Sequence, residues 1–121
     1  MVNNGSNKPH PLPSDRASSL TGLIEVAEGA IVSRVLAKSK GGTVTLFAFD
    51  RGQGLSEHTA PFDALVQVVD GLFELRIGEA SVTVESGEIV RMPANVPHAL
   101  HARVASRMVL TMLRDTRTDE E

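Results

Sequence analysis

Between residues 31 and 113 the apolar positions fall in short runs, and the clearest alternate strictly. Phe73, Leu75 and Ile77 interleave with Leu72, Glu74 and Arg76, a period of two that turns one face of a strand inward. The stretches 31–37, 43–49, 64–69, 72–77, 81–85, 88–92, 98–102 and 107–113 have the β-branched and apolar composition of strands. A shorter run from Leu55 ends at His58. Eight or nine strands at such regular spacing signal a sandwich or barrel. Lys40-Gly41-Gly42, Asp70-Gly71 and Gly78-Glu79 punctuate them. Asp-Gly between two apolar runs predicts a tight hairpin joining 64–69 to 72–77, because a type I′ turn needs φ > 0 at both central residues. One helical turn is expected within 20–26. No helical pattern is long enough for a crossover between parallel strands, which excludes α/β folds.

The flanks differ in character. Pro9, Pro11 and Pro13 alternate with other residues, which favours extended chain and forbids helix. Residues 1–19 therefore form a polar, proline-rich arm, 20–114 the barrel domain and 115–121 a polar tail. The chain of 121 residues suits one domain, and its 41% hydrophobic content supplies a core.

Charge and composition narrow the partners. A formal net charge of −3 provides no basic field for phosphate backbones or anionic membranes. Aromatics are 3% of the chain, all Phe, which argues against stacking platforms for single-stranded nucleic acid. No stretch approaches the roughly 18 apolar residues that span a bilayer. The N-terminal residues lack the apolar segment of a secretory signal. The expectation is a cytoplasmic protein with a small-molecule ligand and no nucleic-acid or membrane partner.

With no cysteine, thiolate zinc sites and thiol nucleophiles are excluded, and a metal would need His or carboxylate. The histidines are His10, His58, His98 and His101. His10 lies in the arm. His98, Leu100 and Ala102 share one strand face and His101 the other, so His98 and His101 do not chelate one ion as strand neighbours. Glu57 and Asp63 point away from the faces of their neighbours His58 and Ala64 in regular strands. Ser56 and His58 likewise make no nucleophile pair. Gly52-Gln53-Gly54 precedes a strand and makes no dinucleotide loop. Arg103 and Arg107 read as surface charges.

Two spaced motifs carry a resemblance. Gly52 is followed by five residues, then His58-Thr59-Ala60, three residues, Ala64, six residues and Gly71. Gly87 is followed by five residues, then Pro93-Ala94-Asn95, two residues, His98, three residues and Ala102. Over 52–102 the chain resembles a small single-domain cupin of conserved-barrel type. That resemblance implies an all-β antiparallel jelly-roll, or double-stranded β-helix, barrel, and a homodimer. Asn95 replaces a motif glycine, and Asn enters the left-handed region more readily than most residues.

In metal-binding cupins four motif residues hold one divalent ion. Their positions here are His58, Ala60, Ala64 and His98, and two of them are alanine. The resemblance therefore implies a barrel mouth with two imidazoles and a degenerate metal site. The expected pocket comprises His58, Ala60, Ala64, Val66 and His98, with Phe47, Phe49, Phe62 or the methionines as competitors for its volume. The first functional reading is a small molecule bound in this mouth. The alternative is a metal-dependent isomerase, lyase or dioxygenase-like enzyme carrying Zn, Mn, Fe or Ni on His58 and His98. No catalytic residue and no certain cofactor follow from the sequence.

Overall fold

Alternation gives each strand one apolar face to remove from water, and the chain meets this demand with two stacked antiparallel sheets. The computed structural model describes residues 12–114; the remainder of the expected arm, with His10, and the expected tail 115–121 lie outside the described residues. The strands are β1 (Ile31–Ser39), β2 (Gly42–Phe49), β3 (Gly54–His58), β4 (Ala64–Asp70), β5 (Leu72–Ile77), β6 (Ala80–Glu85), β7 (Ile89–Met92), β8 (His98–Ala102) and β9 (Ser106–Leu113). One sheet has the order β1-β2-β9-β4-β7 and the other β3-β8-β5-β6. The all-β antiparallel jelly-roll expectation holds. Of the expected helical turn, residues Leu20–Gly22 form a short 3-10 segment.

The core lies between the sheets. Phe49, Val66, Val68 and Met108 from the first sheet meet Phe73, Leu75, Val84, Leu100 and Ala102 from the second. The rings of Phe49 and Phe73 pack edge-to-face with centroids 5.1 Å apart, a favoured aromatic geometry. A smaller cluster covers the opposite face of the first sheet, where Ile24 packs with Leu46, Ala48 and Val109. Two arginines pin this N-terminal segment: Arg34 donates to the Leu23 carbonyl (3.2 Å) and Arg107 to that of Ile24 (3.1 Å). Arg107 also pairs with Asp70 at 2.7 Å. It is thus an internal clamp, not the surface charge its sequence context implied, and Arg103 is an exposed partner of Glu74.

The Asp70-Gly71 hairpin does not form. β4 pairs with β7 and β9, whereas β5 pairs with β6 and β8. Asp70-Gly71 is instead the point where the chain leaves one sheet for the other. Gly71 has φ +93° and runs against Ser106, whose buried hydroxyl accepts from the Leu72 N–H (2.9 Å) and donates to the Val104 carbonyl (2.7 Å). Two-residue hairpin loops lie at Lys40-Gly41, with Ser39 opposite Gly42, and at Gly78-Glu79, with Ile77 opposite Ala80.

A Cβ on Gly71 would overlap the Ser106 hydroxyl and sit 2.7 Å from Ser106 Cα. Gly87, at φ +85°, has open space around it. Gly87→Ala is therefore expected to cost about 1–2 kcal/mol from left-handed strain alone. Gly71→Ala adds steric overlap, for a total of roughly 2–4 kcal/mol. Urea unfolding of the two variants checks the difference; equal losses would refute the close-packed crossover.

Candidate functional site

His58 ends β3 and His98 begins β8, and the two strands are neighbours in the second sheet. Leu55 stands opposite Leu100 and His58 opposite His98. Three steps along β3 thus match two along β8, so β3 carries one extra residue as a β-bulge. Without it, strict alternation from the inward Leu55 would turn Glu57 in and His58 out. A bulge re-aims the side chains beyond it, and here it points His58 toward the partner strand's imidazole.

The loops behind the histidines are tied together. The Asn95 N–H donates to the Ala60 carbonyl (2.7 Å), and the Ala94 N–H donates to Asp63 (2.8 Å). Asn95 holds φ +64°, the left-handed conformation that its motif position favours. Asp63 also faces Arg91 at 3.5 Å. This carboxylate is used in fastening loops, and Glu57 is exposed.

The ring atoms His58 Nε2 and His98 Nε2 are 3.1 Å apart, with ring planes inclined at 71°. Each Nδ1 faces a backbone carbonyl: His58 that of Ser56 at 2.8 Å, His98 that of Val96 at 3.2 Å. A carbonyl only accepts, so an Nδ1–H on either ring donates to its carbonyl, whereas the contact between the two Nε2 atoms needs an Nε2–H on one of the rings; the tautomers decide which contacts hold the one N–H that each neutral imidazole brings. His98 is buried and His58 exposed, so the pair runs from the interior to the rim. Burial holds the His98 pKa below the ordinary histidine value, and the neighbouring His58 charge pushes in the same direction.

Beside the pair is a cavity of about 130 Å³, lined by Leu55, His58, Ala60, Phe62, Ala64, Met92, His98, Leu100, Leu110 and Met112. It brings together four of the five expected pocket residues. Val66 is the exception: it is fully buried in the core, two residues further along β4 than Ala64. Sharing a strand face placed it inward, but the cavity occupies only the end of the sandwich. Phe49 is core as well, while Phe62, Met92 and Met112 narrow the cavity without filling it. Leu55, Leu100 and Leu110 join the wall through pairing between distant strands, which alternation within one strand does not reveal. His101 is exposed on the other face of β8.

The donor set does not fit the four-ligand ion of metal-binding cupins. Ala60 and Ala64 both line the cavity and offer no donor atom. Among the described residues no group of three or more His, Cys, Asp or Glu side chains converges. Two imidazoles fall short of the three protein ligands of ordinary catalytic sites.

Because His98 titrates below an unfolded-chain histidine, the unfolded state binds the extra proton first as pH falls. Stability is therefore full above the unfolded value near 6.5 and declines as pH drops through the lower folded value. Unfolding free energies across pH 5–8 are expected to fall toward acid in the wild type and to fall less in His98→Gln. Identical profiles would show that burial of His98 carries no such linkage.

The Cupin_2 profile, described as "Cupin domain", matches residues 45–114. No curated protein matches the chain. A conserved Streptococcus pyogenes protein of unknown function superposes with TM-score 0.84 at 29% identity, covering 94% of this chain and 100% of its own. A cupin superfamily protein from Desulfitobacterium hafniense gives TM-score 0.83 at 26% identity, with coverage of 89% and 99%. A Cupin 2 conserved barrel domain protein from Leptotrichia buccalis gives TM-score 0.74 at 35% identity over 77% of this chain, which spans 45% of that protein. With the profile match spanning more than half of its length, this chain belongs to the cupin family, as a small protein of conserved-barrel type.

Proposed function

We propose that the protein binds a small molecule in the barrel mouth, held by His58 and His98 against the apolar wall. The cavity carries this reading. Its lining joins aliphatic, aromatic and thioether surface to two polar anchors, the combination that defines small-molecule sites. Ala60 and Ala64 support it further, because each leaves volume where a metal-binding relative places a longer donor. At about 130 Å³ the cavity is slightly smaller than the roughly 150 Å³ apolar cavity that admits benzene, which limits a guest's buried body to no more than one small ring.

Toluene is the simplest probe of that volume. Titration followed by amide NMR is expected to shift residues around Leu55, Ala64, Leu100 and Met112. Ala64→Leu fills the space; it is expected to abolish those shifts while raising stability by about 0.5–2 kcal/mol. Shifts elsewhere, or shifts that survive Ala64→Leu, would overturn the reading.

The convergence of the two Nε2 atoms favours a second reading, a metal-dependent enzyme with a divalent ion on His58 and His98. Elemental analysis of untagged protein separates the two. Sub-stoichiometric metal is expected in the wild type, and near-stoichiometric retention in the double variant Ala60→His/Ala64→Glu, which restores a four-donor set. Full occupancy in the wild type, lost in His58→Ala and His98→Ala, would favour the enzyme instead.

A further inference from the structure

The cavity wall is not uniformly aliphatic. The chain holds four methionines and four phenylalanines in 121 residues, and Met92, Met112 and Phe62 all line this one space beside the imidazole rings. Five of its ten lining residues thus carry a thioether or an aromatic ring, and the other five are leucine or alanine. The two thioethers are placed symmetrically. Ala64 on β4 stands opposite Met92 of β7 on one side and opposite Met112 of β9 on the other. All three side chains face the interior between the sheets, so a methyl-sized floor lies between two long, polarisable walls. The flanking strands are two ladder spacings apart, roughly 9.5 Å. A guest centred over Ala64 therefore lies about 5 Å to the side of each, near the separation at which sulfur and an aromatic ring attract. The Arg114 guanidinium sits 5.9 Å from the Phe62 ring centroid, a cation–π contact that steadies this ring.

We infer that the buried body of the guest is an aromatic ring, seated over Ala64 between the thioethers of Met92 and Met112. This deepens the ligand-binding reading and rests on it. Sulfur is attracted to the positive edge of an aromatic ring, and two thioethers reach the same guest from opposite sides. Phe62 adds an aromatic partner, and ring pairs gain attraction beyond the area they bury. A saturated ring of the same carbon number gains neither. The hydrophobic effect runs the other way, because cyclohexane offers no less apolar surface than benzene and is expelled from water at least as strongly. A wall of leucine and alanine alone would therefore not favour the aromatic ring. Met92, Met112 and Phe62 are the residues that set this specificity.

Benzene and cyclohexane separate ring chemistry from bulk apolarity. Titration of the wild type with each is expected to show benzene binding about tenfold tighter. The double variant Met92→Leu/Met112→Leu nearly conserves volume and removes both sulfurs. Its preference for benzene is expected to fall to about threefold or less. Methionine methyl NMR gives a second readout on the unaltered protein. The ring current of bound benzene is expected to displace the Met92 and Met112 methyl signals and to leave that of Met108, fully buried in the core, in place. Cyclohexane binding as tightly as benzene, or tighter, would overturn the aromatic class while leaving the cavity reading intact. Unmoved Met92 and Met112 signals at saturating benzene would overturn it too. A tenfold preference retained by the double variant would show that the thioethers do not select the ring, and would overturn their assignment. Binding of neither ring to the wild type would overturn both readings.

Discussion

The pairing of β3 with β8 is the constraint on which the site depends. Backbone bonding fixes His58 opposite His98, and the extra residue in β3 turns both rings to the same side. Two imidazoles forty residues apart in sequence thereby meet edge-to-face with centroids 4.3 Å apart. Their remaining ring nitrogens are committed to local carbonyls, so the orientation is held from behind as well as from across the ladder. Such backing bonds set which nitrogen carries the proton.

Around that ladder the barrel end is built from parts with separate duties. The 59–63 and 93–97 loops are fastened through Asn95, Ala94 and Asp63, and the Asp63 carboxylate does not line the cavity. The interior toward the other end is filled: Val66, Val68, Phe73 and Leu75 are fully or nearly fully buried. Alanines at 60 and 64 leave room only at the histidine end. The site is therefore a small, largely apolar space with two imidazoles at one wall.

Much of this was legible from local pattern. Inward and outward positions of β5 and β8 follow from period-two alternation, since Phe73, Leu75, His98, Leu100 and Ala102 are buried while Glu74, Arg76 and His101 are exposed. Asn95 was readable as a left-handed residue because that conformation is a property of one residue and its turn. The spacing of the two glycine-and-histidine motifs pointed to a barrel end shared by His58 and His98, and the absence of donors at Ala60 and Ala64 is plain in the residues themselves.

Pairing between distant strands was not legible, and each correction comes from there. Asp70-Gly71 has the chemistry of a hairpin, yet Gly71 serves a sheet-to-sheet crossover because Ser106, from β9, needs its missing side chain. Val66 faces inward as alternation requires, but depth along the barrel places it in the core. Arg107 looked like solvent-facing charge until Ile24 and Asp70 came together around it. The sequence by itself determined strand faces, turn residues and the donors available. Tertiary structure alone decided strand partners, the bulge that aims His58, and where the empty volume lies. Faces and turns depend on the backbone geometry of adjacent residues, whereas partners and cavities depend on which distant surfaces bury one another.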